Sequence, residues 1–378
     1  MQADDPASVR AALAEHLARA PGGRWRVEAP DEVMRQPWSA LYFLSGTSPE
    51  GAQVRWVVKC PRAPEGESHL PGRDGRSLAA RNRAEFSSLG MIQDHFARQD
   101  DRSLAAIKVI TYLPTVEGFV MRHFEGEPLF DRCLQLLHHL RPRRRTLANA
   151  GVRRAGAWLR WLHEMPLEHL NEPLEQGPED AAAAIRREIS ALVRDGVAED
   201  TLPLDLLGAV ADEARDPRRV ATHSDYHLRN VVLLDDGGVL GFDTALNRID
   251  SPCCDIGRFL MDIRTRRSRI LTGARIPTER RARRLERAFV AGYGDPGPDR
   301  KTVALYEAVF ALWKWREDRA AVASALRRWP PLAAIARAVV IDRAFRRVMS
   351  QWVKRVEEPP KGQIAAPERR EAVIRSSP

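Results

Sequence analysis

The sequence predicts an α+β chain of two lobes, a small N-terminal one built on strands and a larger, mainly helical C-terminal one. Three observations point there. Apolar residues come in short runs up to about residue 123, beyond Gly126 they recur at helical spacing, and one strand-rich island, 220–244, interrupts the helices around an Asp-Asp-Gly-Gly turn. In order, Ser39–Leu44 reads as a strand, residues 45–51 as a turn-rich connection and Gln53–Cys60 as a second strand. Residues 61–76, rich in Pro, Gly and charge, read as a loop. From Leu78 to Phe96 a helix is expected, because Ala84, Leu89, Ile92 and Phe96 fall at helical spacings. Ala105–Leu113 and Gly118–His123 are two more expected strands. Further on, Arg153–Glu164 sets Ala157, Trp158, Trp161 and Leu162 on one face, and helices are also expected over 181–194, 204–214, 255–264, 280–292, 302–316 and 331–356. The boundaries that result are 1–122, 123–357 and a flexible tail, 358–378.

The chain has 378 residues, 44% hydrophobic and 29% charged, enough for a sizeable core and unlike a disordered chain. No run of 18 apolar residues escapes interruption by Arg or Asp, so no transmembrane helix is expected. Met1-Gln2-Ala3-Asp4-Asp5 is acidic where a secretory leader would be basic, and a cytoplasmic location is expected. Cys60, Cys133, Cys253 and Cys254 fit neither a disulfide framework nor a metal or redox motif and read as buried thiols. Only six of the 60 basic residues are Lys. Each lysine is therefore informative. Lys59, in the apolar run Trp56-Val57-Val58-Lys59, marks a place wanting a compact ammonium instead of a planar fork.

The island carries the chemistry. It runs from Ala221 through His223, Asp225, His227 and Asn230 into two apolar runs, 231–234 and 239–242, that flank Asp235–Gly238 and end at Asp243. A two-residue turn at Asp236-Gly237 would set Asn230 opposite Asp243, with Cα atoms about 4.5–5.5 Å apart. An amide oxygen and a carboxylate so placed suit magnesium on a nucleotide phosphate. Asp225, on the loop entering the hairpin, overlooks the same point and can accept a proton.

His223-x-Asp225-x-x-x-x-Asn230, with Asp243 thirteen residues later, resembles the catalytic loop and metal-binding Asp of the protein-kinase-like superfamily. Gly-Phe-Asp-Thr-Ala around Asp243, together with His227, is closer to its aminoglycoside phosphotransferase and choline kinase-like branch. The resemblance implies a bilobal kinase-like fold with a small antiparallel N-terminal sheet. It implies an enzyme moving the γ-phosphoryl group of ATP or GTP, with Mg2+, to a hydroxyl of a small-molecule acceptor. In it, Lys59 would hold the α- and β-phosphates and pair with Glu85, backbone near Arg122 to Phe124 would meet adenine, and Asn230 and Asp243 would hold metal. Asp225 would act on the acceptor hydroxyl, Asp255 would brace the catalytic loop, and His223 reads as a structural hydrogen-bonding residue. Trp161-Leu162-His163-Glu164 is similar to the helix end preceding that loop. The chain also departs from the family: Ser224-Asp225-Tyr226-His227-Leu228-Arg229-Asn230 stands where members often write Gly-Asp-Leu-His-Pro-Gly-Asn. It lacks a clean G-x-G-x-x-G, leaving Ser45, Gly46 and Thr47 as the candidates to cover the phosphates.

Two rivals are open. One is a catalytically silent nucleotide-binding regulatory module on the same fold. The other is a metal-dependent hydrolase using His223, Asp225 and His227, alternate residues of one strand face, which leaves Lys59 and Glu85 unexplained. A net charge of +9 disfavours a polycationic acceptor and leans to a neutral sugar, lipid or other metabolite over an aminoglycoside or other antibiotic. The Arg-rich runs at 141–145, 264–267 and 280–284 read as solvated helix faces. They carry no interleaved aromatics, so no nucleic-acid partner is expected, whereas peripheral contact with anionic lipid stays open. Trp313, Trp315 and Trp329 read as core or interface.

Overall fold

The structure is a computed structural model and describes residues 5–19, 25–62, 77–134, 142–170, 175–176, 181–197, 204–213, 218–244, 246, 248–265, 279–294, 299–325 and 331–357. Residues 63–76, Arg141, Arg266, Arg267, Trp329 and the tail from 358, each singled out in the sequence, lie outside them. In the N-terminal region the elements are α1 (Pro6–Ala18), β1 (Arg26–Val27), β2 (Glu32–Arg35), β3 (Ser39–Thr47), β4 (Gln53–Pro61), α2 (Leu78–Ala97), β5 (Leu104–Ala105), β6 (Val109–Leu113) and β7 (Gly118–Arg122). All but β5 and the helices join one antiparallel sheet in the order β1-β3-β4-β7-β6, with β2 also on β3. Strand alternation sorts the side chains of β4. Trp56, Val58 and Cys60 pack with Val9 and Leu13 of α1, while Val57 joins Leu89 and Ile92 of α2 on the other face. Lys59, two residues on, shares the Val57 face. The sheet is thus covered on both sides, and α1, capped by Asp5 through the Ala7 and Ser8 amides, is an element the sequence reading did not assign.

Next come β8 (Gly126–Pro128), α3 (Leu129–Leu134), α4 (Pro142–His163), β9 (Glu175–Gln176), α5 (Ala181–Arg194), α6 (Leu204–Glu213), β10 (Val220–Thr222), β11 (Val231–Leu234), β12 (Val239–Gly241), β13 (Arg248–Asp250), α7 (Pro252–Thr265), α8 (Glu279–Tyr293), α9 (Arg300–Ala325) and α10 (Pro331–Glu357). A core around Trp158, Tyr226, Phe259 and Phe289 unites α4, α7, α8 and the island. A second one, around Trp315, Phe345 and Trp352, unites α5, α6, α9 and α10. Between them Arg264, fully buried on α7, meets Glu279 at 3.0 Å and Glu286 at 2.5 Å. Arg355 of α10 reaches Glu286 and Glu307 in turn. Such a buried charge network costs desolvation and gains its place by fixing how the helices meet.

Several sequence expectations change. Arg264, read as part of a solvated helix face, is 0% exposed, and Ala105–Leu113, read as one strand, divides into β5 and β6 in different sheets. Ser45, Gly46 and Thr47 continue β3 instead of forming a turn; the turn is Ser48–Gly51, closed by the Ser48 amide on the Ala52 carbonyl at 2.8 Å. The island hairpin also has a different register. Val231 pairs with Gly241 and Leu233 with Val239, so the loop is the three residues Asp235-Asp236-Gly237. A two-residue type I′ turn needs positive φ at both central residues; here Gly237 has φ +85 and Asp236 is not in that region. Asn230 consequently faces Phe242, whose amide donates to the Asn230 carbonyl at 3.0 Å, and Asp243 falls one residue beyond the ladder. Among the described residues no helix is long and apolar enough to cross a membrane.

Candidate active site

Lys59 is placed by its strand and locked by a helix. The side-chain amide of Asn82, in the first turns of α2, donates to the Lys59 carbonyl at 3.3 Å and to the Glu117 carbonyl at 2.7 Å. Glu85 follows three residues later on the same helix face, and its Oε1 lies 2.7 Å from Lys59 Nζ. The same ammonium is 2.9 Å from Asp243 Oδ1. Both members of the Lys59–Glu85 pair are largely buried, at 13% and 15% side-chain exposure. Burial works against the Lys59 charge, but the carboxylates of Glu85 and Asp243 outweigh it and hold the ammonium protonated. Glu85 itself is pushed upward by burial, only partly offset by Lys59.

Asp243 sits where the hairpin releases its second strand, in left-handed backbone at φ +64. Burial raises its carboxyl, and Lys59 more than offsets that by charge and hydrogen bond, leaving it below the usual range and ionised. Gly241, two residues earlier, crosses the Trp158 ring so closely that a Cβ there would lie 2.5 Å from it. Asn230, buried at the facing end, donates to the Asp225 carbonyl at 3.0 Å and to Asp225 Oδ2 at 3.3 Å, which commits its NH2 and leaves its amide oxygen outside both bonds. One ionised carboxylate and one amide oxygen are hard donors and too few to hold a metal alone, which fits Mg2+ completed by phosphates and water.

The loop carrying Asp225 is braced from below. Asp255, 0% exposed in the first turn of α7, accepts the His223 amide at 2.7 Å, the Ser224 amide at 2.9 Å and His163 Nε2–H at 3.1 Å. Burial raises its carboxyl; these donors, His163 first, bring it net below the ordinary Asp value. His163 Nδ1 in turn takes the Tyr293 hydroxyl at 3.0 Å. Ser224 is held at φ +66, the region that favours the Gly of the family pattern. Leu228, standing where that pattern has Pro, uses its amide to reach Asp262 Oδ2 at 3.1 Å. His223 lies buried between Trp158 and Tyr226, with Nε2–H on the Phe242 carbonyl at 3.1 Å, and burial lowers its pKa. It is thus a neutral ring inside the core, turned away from the surface a hydrolytic metal would need. Among the described residues no three or more His, Cys, Asp or Glu gather to hold a metal ion.

Beside Asp225 opens a cavity of about 280 Å³ lined by α7, α9 and the loop, including His227, Arg229, Arg258, Phe310, Trp313 and Lys314. Arg258 was not singled out in the sequence. Its NH2 pairs with Asp225 Oδ1, its NH1 donates to the Ser224 carbonyl at 3.2 Å, and its guanidinium lies 5.2 Å from the Phe310 ring centre and 5.3 Å from that of Trp313. The opposite side of α9 (Leu305, Ala308, Leu312 and Trp315) is buried in the second core.

One candidate set, Ser45–Thr47, is not where the sequence reading put it. Ser45 pairs with Arg55, four positions along β3 from Leu41, the partner of Lys59. That is about 13 Å at a strand's rise, and Glu28 and Asp31, each 3.2 Å from Ser45 Oγ, make the spot unfit for phosphate. The turn at the Lys59 end is Gln36–Ser39, between β2 and β3, with Trp38 exposed at its tip. In the Arg122–Phe124 segment the Arg122 amide is taken by the Lys108 carbonyl at 2.8 Å and that of His123 by the Arg55 carbonyl at 3.1 Å, so neither N–H is open to an adenine ring.

A strand lysine locked to a helix glutamate, facing a hairpin carboxylate and a braced Asp loop, defines a protein-kinase-like fold. The chain belongs to the phosphotransferase enzyme family (APH), whose profile matches residues 77–306. That span contains Glu85 and the whole island and begins after Lys59. Solved structures with similar folds include a candidate aminoglycoside phosphotransferase from Ralstonia eutropha JMP134 (14% identity, 92% of this chain and 98% of that one, TM-score 0.54). A macrolide 2'-phosphotransferase type I is also similar (16%, 90% and 98%, TM-score 0.51), as is a choline/ethanolamine kinase family protein from Mesorhizobium loti (16%, 94% and 99%, TM-score 0.49). No curated protein matches the sequence.

Proposed function

We propose that the protein transfers the γ-phosphoryl group of ATP, or of GTP, to a hydroxyl of a small molecule seated in the cavity beside Asp225. The observation that carries this reading is the buried Lys59 ammonium bridging Glu85 and Asp243. A point charge so held can hold the α- and β-phosphates, with Glu85 keeping it in place. The Asn230 amide oxygen and the Asp243 carboxylate would hold Mg2+, which when bound supplies positive charge to the phosphate oxygens. Asp225 takes the acceptor's proton as the new O–P bond forms and the bond to the β-phosphate oxygen breaks, releasing ADP. His223 and Asp255 act only through the loop they hold.

Charge in the cavity bears on the acceptor. Arg229, Arg258 and Lys314 match Asp225, Asp262 and Glu317, so among the described residues the lining has none of the acid excess that would hold a polycation. A hydroxylated neutral metabolite, sugar or lipid headgroup fits better. ADP release by purified protein, measured across a panel of such acceptors and aminoglycosides with Mg2+, tests the reading. Asp225→Asn should lower turnover by at least about a hundredfold with nucleotide affinity nearly intact. Turnover that survives this change, or ATP that no longer binds, would refute the role given to Asp225.

A further inference from the structure

Asp225 has a partner of unusual construction. Arg258 reads two consecutive loop residues with one planar group, NH1 on the Ser224 carbonyl and NH2 on Asp225 Oδ1. The two contacts differ in kind: one fixes the backbone of a residue already held at positive φ, the other fixes a carboxylate oxygen. The guanidinium is itself held over the Phe310 and Trp313 rings, which attract a cation and limit its tilt. Phe310 and Trp313 belong to α9 and line the same cavity as Asp225. His227 Nε2 also lies 3.4 Å from Oδ1. Oδ2, among the described residues, has only the 3.3 Å contact from the Asn230 amide NH2.

We propose that Arg258 is the positioning residue of the phosphoryl-transfer site, holding Asp225 by Oδ1 so that Oδ2 meets the acceptor hydroxyl, with Phe310 and Trp313 fixing the guanidinium in turn. The inference rests on Asp225 acting as the proton acceptor. It assigns the acceptor-side helix α9 a part in aiming that carboxylate, beyond shaping the cavity. A lysine could supply the charge but not the fork, since one ammonium cannot meet the Ser224 carbonyl and Asp225 Oδ1 in the same plane.

The test is steady-state ADP release by wild type, Arg258→Ala, Arg258→Lys, Trp313→Leu and Asp225→Asn, with an acceptor taken from the panel. Arg258→Ala should lower kcat about a hundredfold, the loss expected for a carboxylate displaced by roughly 1 Å, with the KM for ATP within about twofold. Arg258→Lys should lose nearly as much, Trp313→Leu several-fold, and guanidinium ion added at non-denaturing concentration should restore part of the Arg258→Ala rate. Rescue and an unmoved ATP KM are what a merely structural staple would not give. A kcat for Arg258→Ala within about threefold of wild type overturns the proposal, as does full activity in Arg258→Lys or loss without guanidinium rescue. Turnover that persists in Asp225→Asn, or a wild type silent with every acceptor, refutes the proposed function and this inference with it. Turnover that needs Asp225 and ignores Arg258 refutes the inference alone.

Discussion

Asp255→Asn isolates the brace beneath the loop that carries Asp225. The carboxylate takes three donors, the His223 and Ser224 amides and the His163 ring, at 2.7, 2.9 and 3.1 Å. An asparagine there keeps one acceptor oxygen and turns an NH2 towards at least one of these N–H groups. At least one charge-assisted hydrogen bond is lost, about 1.5–3 kcal/mol, and a buried donor is left unsatisfied, about 1–3 kcal/mol more. A destabilisation of about 3–5 kcal/mol follows, or roughly 4–6 °C in the unfolding midpoint of a chain this long. The pH dependence has a definite sign. Because the folded Asp255 carboxyl lies below its unfolded value, its stabilisation is complete above the ordinary Asp pKa of 3.8 and is lost as pH falls through the lower folded value. Urea unfolding at pH 7, 5 and 3.5 should therefore show a gap between wild type and variant that is constant at the upper two and narrows at the lowest. Equal midpoints at pH 7, or a gap that widens on acidification, would show that the brace is not an ionised carboxylate.

Glu85→Gln should raise the KM for ATP several-fold and lower the unfolding midpoint by a few degrees, less than loss of a wholly buried pair, since Asp243 remains beside Lys59; nucleotide titration and thermal melts read both. Ser224→Gly should stabilise by about 0.5–1 kcal/mol, relief of about 1–2 kcal/mol of left-handed strain exceeding the extra entropy of an unfolded glycine. A clear loss in a denaturant titration would instead give priority to the 3.1 Å contact between the Ser224 and Thr222 hydroxyls. Gly241→Ala should destabilise by about 1–3 kcal/mol, because its methyl meets the Trp158 ring, itself pinned by a 2.8 Å bond to the Ala105 carbonyl.

What could be read in advance follows from which residues are rare. In a chain with six lysines, Lys59 within an apolar strand stood out, and Glu85 on the next helix was reached through the family resemblance. The same skew hid Arg258: one arginine among so many carries no signal in sequence, and its role arises from a helix, a loop and two rings meeting in space. The hairpin was legible, its register was not, because Asp-Asp-Gly-Gly accommodates loops of two or three residues and only backbone dihedrals distinguish them. β2 escaped notice since Glu-Val-Met-Arg at an edge half-buries one residue and so shows no alternation. Its absence from the reading hid the hairpin whose turn lies at the Lys59 end. α1 is different: Val9, Ala12, Leu13 and Leu17 do recur at helical spacing behind Asp5, so that signal was present.

Helix α9 faces two ways, with Trp315 and Leu312 sunk among α5, α6 and α10 while Phe310, Trp313 and Lys314 line the cavity. One rod therefore divides its labour by azimuth. Exchanges on the inner flank are restrained by tight packing, whereas those on the outer flank can reshape the receiving chamber without disturbing Lys59, Asn230 or Asp243, which hang from a separate sheet and hairpin. On the proposed reading, side-chain exchanges there would alter which molecule the chamber receives and leave Lys59, Asn230 and Asp243 as they are.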